Sequence, residues 1–233
     1  MFENVEIFWI NCSSNKKRHE HMKNILEKNF PKNKHHHIEA VMHNPKYQGV
    51  TMAHSVALLK GIDCKKPFLI LEDDVTVDVN KMNFSKFEDE YNKLEEIPEA
   101  IYFGLSTWGT RISRHQQIFK GRQEQVIQYE KKIIFNKGAK CVDMDNKYFV
   151  RIEDMFGAHA ILYISREYAV KTLKHCILAV ELKKPHDIFL PKILKKSKII
   201  GLREPWFYQL ASIGGQEKAT KLSLNDVKII KFD

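Results

Sequence analysis

The chain has 233 residues, 43% of them hydrophobic and 11% aromatic, which is enough apolar material for one sizeable core and excludes a disordered chain. No apolar run approaches the roughly 20 residues that span a bilayer, and Met1-Phe2-Glu3-Asn4 lacks the basic-then-apolar order of a signal peptide, so a soluble, cytoplasmic protein is expected. A net charge of +9 calls for nucleic acid, an anionic membrane face, a phosphate-bearing substrate or a solvated lysine surface, and does not choose among them. Cys12, Cys64, Cys141 and Cys176 are widely separated, which reads as reduced thiols and not as a zinc site.

In chain order, Val5 to Ile10 is a β-rich run that ends in the polar loop Asn11 to Asn15. A helix follows from Lys16 to Lys28, with Met22, Ile25 and Leu26 at helical spacing. His37 to Met42 reads as a strand, and Gly49 and Thr51 open a helix carrying Met52, Val56, Leu59 and Ile62 along one face. Phe68 to Leu71 is a short buried strand, Ser85 to Glu95 a polar helix, and Ala100 to Leu105 another strand. This alternation of strand and helix is the pattern of a mixed, mostly parallel α/β sheet flanked by helices.

The region 107–154 breaks the pattern with Gly109, Gly121 and Gly138 among basic, β-leaning segments such as Val126 to Tyr129 and Ile133 to Phe135. An antiparallel insertion is expected there. Phe156 to Ile164 returns to strand, and Ser165 caps a helix to Cys176. Pro185-His186-Asp187 opens a last helix through Leu194, Ile199-Ile200 is a closing strand, and Glu204 to Gln209 a functional loop. With no linker or repeat, the chain reads as one domain, a nucleotide-binding half over 1–106 and an insertion and acceptor half over 107–233.

The strand Phe68 to Leu71 ends abruptly in Glu72-Asp73-Asp74. Three adjacent carboxylates repel one another and need a cation to be held together. Alternation along an extended chain puts Glu72 and Asp74 on one side and Asp73 on the other. That gives two hard oxygen ligands for Mg²⁺ or Mn²⁺, with Asp73 in support. A solvated acidic loop is the plainer alternative. Asp143-x-Asp145 has similar spelling, but no apolar strand leads into it, so a hairpin tip is the reading there. Asn11 and Glu72 both follow strands, so they belong at the carboxyl edge of a sheet, where such folds bind ligands.

Several segments together resemble glycosyltransferase family 25. They are Phe8-Trp9-Ile10-Asn11 with Lys17-Arg18, Gly49-x-x-x-Ala53-His54-x-x-Ala57-Leu58, and Leu71-Glu72-Asp73-Asp74-Val75. Phe156-Gly157-Ala158-His159-Ala160 running on to Ser165, Pro185-His186-Asp187-x-Phe189-Leu190, and Gln209-x-x-Ser212-Ile213 complete the series. The chain departs from the family pattern at Lys17, where an Asp is usual, at Ala53, where a Ser is usual, at His159, two residues before a position where an aromatic is common, and over the middle insertion. The resemblance implies a GT-A fold of Rossmann type and an enzyme with a nucleotide-sugar donor, commonly UDP-linked. It also implies transfer to a hydroxyl of a glycan, glycolipid or glycoprotein acceptor, with inversion.

On that resemblance, Asn11, Ser13, Arg18, His54, Asp73 and His159 fall in the donor site, and Glu72 and Asp74 hold the metal. Asp187 would be the general base, although an acid in the first turn of a helix also simply favours the dipole. His54 reads equally as a structural histidine and Arg18 as an exposed basic residue, while a lone histidine on an apolar strand, as His159 is, more often serves structure. Trp206, Tyr208 and Gln209 form an aromatic platform for the acceptor or else pack in the core. Lys183-Lys184 and Lys195-Lys196-Ser197-Lys198 suit peripheral contact with an anionic membrane or plain solvation. A metal-dependent nuclease is the rival reading from charge and carboxylates, but no Glu-x-Lys follows over Tyr102 to Thr107, so no specific nucleic-acid partner is expected. A glycosyltransferase-like protein that binds without catalysis is the other.

Overall fold

A computed structural model describes residues 2–40, 42–106, 140–144, 146–194, 196–210 and 228–230. The expected segments Val126 to Tyr129 and Ile133 to Phe135, and also Asp145, Lys195 and Ser212-Ile213, lie outside the described residues. Eleven strands are described: β1 (Glu6–Asn11), β2 (His35–Glu39), β3 (Phe68–Glu72), β4 (Val75–Val77), β5 (Ala100–Tyr102), β6 (Lys140–Asp143), β7 (Phe149–Asp154), β8 (Ala160–Tyr163), β9 (Ile199–Leu202), β10 (Phe207–Gln209) and β11 (Lys228–Ile230). The helices are α1 (Lys16–Asn29), α2 (Lys46–Asp63), α3 (Phe84–Tyr91), α4 (Arg166–Glu181) and α5 (Leu190–Leu194), the last preceded by a 3₁₀ turn over His186–Phe189.

Nine strands form one sheet in the order β11-β6-β7-β9-β5-β8-β3-β1-β2. The mixed α/β fold with helices flanking a largely co-directional sheet is thus present. Only β7 and β8 run against the other seven, each antiparallel to both of its neighbours. The unit β1-α1-β2-α2-β3 places β2 and β3 on either side of β1, all parallel, as two crossovers require. Strands from before and after residue 106 interleave, since β8 lies between β3 and β5 and β9 pairs with β5. The strand Ile199–Leu202, expected as the closing strand of the chain, lies in the middle of the sheet. Its four residues are all buried, which a strand covered on both faces requires.

Alternation along the strands divides the interior in two. Phe8, Ile10, Phe68 and Ile70 face α2 and α4, with Ala53, Ala57, Leu58 and Cys176 packed against them. Ile7, Trp9, Leu69 and Leu71 face the other way, into an aromatic cluster with Met22, Phe30, Phe87, Phe103 and Trp206. The helices start where side chains offer caps. The Asn15 side chain accepts the Arg18 N–H at 3.3 Å, Asn83 accepts that of Lys86 at 2.9 Å, and the Ser165 hydroxyl accepts that of Tyr168 at 3.2 Å.

Three local expectations are corrected. Helix α2 begins a turn before Gly49, and its buried face is Ala53, His54, Ala57 and Leu58, leaving Val56 and Leu59 exposed. Residues 156–159 are not strand; β8 starts at Ala160. Phe207–Gln209 is not a loop but pairs antiparallel with β4 in a separate two-stranded ribbon. Within 107–154, the described part is an antiparallel pair, β6 with β7, and Asp143 at the end of β6 is ion-paired with Arg203.

Candidate active site

The carboxyl ends of β1, β2 and β3 and the start of β8 meet at one edge of the sheet. Strand β3 stops at Glu72, and Asp73-Asp74 turn the chain into β4. The turn, and not strand alternation, sorts the three acids. Asp73 swings toward β1 and α1, where it accepts hydrogen bonds from the Asn11 amide at 2.6 Å and the Arg18 guanidinium at 2.5 Å. A second Arg18 nitrogen lies 3.9 Å from Asp74.

Glu72 and Asp74 come together under Gln209. The Gln209 amide nitrogen lies 3.4 Å from Glu72 Oε2 and 3.3 Å from each oxygen of Asp74. The ribbon β4–β10 makes this possible, since Gln209 pairs with Val75, and the Leu210 N–H donates to the Asp74 carbonyl at 2.7 Å. Burial first, and then the charge of Asp73, pushes the Glu72 carboxyl up to about 7, against the pull of Arg18. Burial and then Glu72 push Asp74 up to about 7 as well, opposed by Arg18 and Gln209. Two acids brought this high hold protons that an added cation displaces.

Glu72 also faces α2, where His54 Nε2 lies 3.0 Å from its Oε1. His54 is 2% exposed, and its ring lies against that of His186, 4.2 Å between centroids and tilted by 38°. Burial holds His54 down to about 3, so it is neutral. His186 is likewise pushed down by burial and by His54, while Asp187 beside it is pushed up by burial, His186 opposing and Glu72 adding. His186 Nε2 and Asp187 Oδ1 are both buried without a hydrogen-bond partner. Two such atoms on adjacent residues near Glu72 are where a bound polar group would find partners.

His159 is 3% exposed and held down to about 4 by burial; its Nε2 is also unpartnered. Its carbonyl accepts the Glu72 N–H at 3.0 Å, and Gly104 leaves room for its ring, since a Cβ there would lie 2.1 Å from Nε2. Ser13, at the loop after β1, donates its N–H to Glu39 at 2.9 Å and its hydroxyl to the same carboxylate. Those bonds hold Glu39 below its ordinary range. Glu39 ends β2 and was not singled out from the sequence; its place at the tip of the strand beside β1 was the signal.

The structure thus gathers Asn11, Arg18, His54, Glu72, Asp73, Asp74, Gln209, His186 and Asp187 into one linked array. Ser13 and Glu39 stand at the end of β2, and Tyr208, half-buried, pairs with Thr76 on the ribbon. Trp206 is corrected from platform to core. It is 0% exposed and enclosed by Phe2, Phe84, Phe87 and Phe103, with ring centroids 5.0–6.1 Å away.

A divalent metal fits Glu72 and Asp74 in a particular way. Among the described residues no three acidic, histidine or cysteine side chains converge to hold an ion unaided. Two carboxylates with an amide beside them match Mg²⁺ or Mn²⁺ sites that complete their shell with water and substrate phosphate.

No family model matches the chain, and no curated protein matches it. The resemblance to glycosyltransferase family 25 therefore stands on its motifs. Among solved structures, the CTP:phosphocholine cytidylyltransferase of Streptococcus pneumoniae has a TM-score of 0.39 at 9% identity over 96% of each chain.

Proposed function

We propose that the protein is a metal-dependent glycosyltransferase that moves a sugar from a nucleoside-diphosphate donor, UDP-linked on the family resemblance, to an acceptor hydroxyl with inversion. The observation that carries this reading is the pair Glu72 and Asp74, held high in pKa at the carboxyl edge of the sheet and spanned by Gln209.

Bound there, Mn²⁺ or Mg²⁺ would supply positive charge to the donor's diphosphate as it leaves. Asn11 and Arg18 fix Asp73 and so set the wall on the nucleoside side. Glu39, already accepting from Ser13, occupies the position from which an acid at the end of the second strand reaches a ribose hydroxyl. Asp187 takes the proton of the acceptor hydroxyl as it attacks the anomeric carbon. Burial raises its basicity above that of an ordinary aspartate, in the direction that task needs. His54 and His186, neutral and in ring contact, stand between Glu72 and Asp187 without adding a charge that would compete for the metal's partners.

The test is a thermal-shift panel of nucleoside diphosphates and nucleotide sugars, with and without Mn²⁺, on the native chain and on Asp74→Asn. One donor should stabilise the native chain only with metal, by about 2.7 kcal/mol at 100 times its Kd, and the variant not at all. Stabilisation by no nucleotide, or equal stabilisation without metal, refutes the reading. Metal-dependent binding with neither transfer nor donor hydrolysis favours a binding protein of the same architecture.

A further inference from the structure

Helix α2 starts, and α4 ends, beside the site. Tyr47, in the first turn of α2, donates its hydroxyl to the Lys183 carbonyl just past α4 at 2.9 Å, so the two helix ends form one rim. Apolar side chains stand outward on it. Val50, Ile177, Leu178 and Leu182 are between 39% and 52% exposed. Leu178 and Leu182, four residues apart, lie on one face. Lys46, Lys174, Lys183 and Lys184 are exposed on the same two helix ends, with Glu181 an opposing charge among them. The chain then passes through Pro185 directly to His186 and Asp187.

We propose that this rim docks on an anionic lipid surface. Exposed leucine and isoleucine side chains on segments that also carry exposed lysines match both parts of such a surface, the acyl boundary and the phosphate headgroups. Two other occupants fit less well. A second copy in a two-fold contact would set these lysines against their own counterparts. A nucleic acid would use the lysines and leave the leucines in water. Docking stands apart from the transferase reading. Combined with it, the rim brings a lipid-borne hydroxyl acceptor to Asp187, which lies just past the end of α4.

Co-sedimentation of the full chain with vesicles tests this, using phosphatidylcholine alone and phosphatidylcholine mixed with phosphatidylglycerol. Binding should appear only with phosphatidylglycerol and weaken with added salt. Leu182→Gln and, separately, Lys46→Glu with Lys184→Glu should each lower the partition coefficient by about tenfold, while melting and metal-dependent nucleotide binding stay as in the native chain. Binding indifferent to lipid charge, no binding to either vesicle, or variants that bind like the native chain overturn the proposal. So does a dimer, seen by light scattering, that Leu182→Gln dissociates. Loss of vesicle binding with nucleotide binding intact separates this failure from that of the transferase reading.

Discussion

Replacing both metal-side acids by their amides, Glu72→Gln with Asp74→Asn, should make the metal-free protein more stable at alkaline pH. A carboxyl raised on folding gives up stability as pH climbs from its unfolded value through its folded one. For Glu72, the rise from 4.5 to about 7 corresponds to about 3 kcal/mol. Asp74, rising from 3.8 to about 7, corresponds to about 4 kcal/mol alone. Part of each rise comes from neighbouring acids, so the two do not add. The Glu72 side chain is also 21% exposed, which lets water relieve some of the strain. A net of about 3 kcal/mol for the pair is the working figure.

The buried histidines act in the opposite sense. His54 and His159, held at about 3 and about 4, weaken the fold as pH falls below their unfolded value of 6.5. Native melting alone would mix the two effects, so the comparison is between variant and native chain across pH 5 to 8.5 in EDTA. The variant's advantage should be small at pH 5 and grow to a plateau by about pH 8. At this chain length it should reach about 6–12 °C in Tm. Saturating Mn²⁺ should raise the native Tm at pH 8 and leave the variant unmoved. A variant no more stable than the native chain at pH 8, or an advantage equal at every pH, refutes the assignment of strain to these two acids.

Asp187→Asn should lower kcat by a factor of about 10² to 10⁴ while leaving metal-dependent donor binding intact, because the proton acceptor is lost but not the diphosphate site. Steady-state rates beside the thermal-shift titration check this; donor binding lost along with turnover would assign Asp187 to the donor. Gly104→Ala puts a Cβ 2.1 Å from the Nε2 of a buried imidazole, so His159 must move. Its carbonyl holds the Glu72 N–H, so the expected loss of about 2 kcal/mol in chemical denaturation should come with weaker Mn²⁺ binding.

The elements with strong local signals were legible in the sequence. β1 and β3 are apolar runs with polar ends, and α1 and α4 carry their own caps. What could not be read was strand direction and order. Nothing in Ala160 to Tyr163 says that it runs against β3 and β5, and four apolar residues at Ile199 fit an edge as readily as the middle until the neighbours are known. The ribbon was missed because Val75–Val77 and Phe207–Gln209 are three residues each, too short for periodicity. Within the site, the expected grouping of Glu72 with Asp74 and apart from Asp73 appears, but by a turn and a bridging amide instead of alternation. Trp206 was misplaced because an aromatic-rich segment looks alike whether it faces a sugar or a core. His186 went unremarked beside Asp187, since only the fold brings it against His54.

The glutamine that spans Glu72 and Asp74 comes from 137 and 135 positions along the chain, carried on a three-residue strand outside the main sheet. During synthesis the acids emerge long before it, and until β10 pairs with β4 the amide that spans them is absent, although Asn11, Arg18, His54 and the His159 carbonyl can already be in place. A ribosome-bound chain that has released β1 to β3 can already build the parallel core of the sheet, yet it presents an unfinished grip on any nucleotide. On the proposed transferase function, competence to bind donor should therefore switch on late and abruptly, with the pairing of one short ribbon.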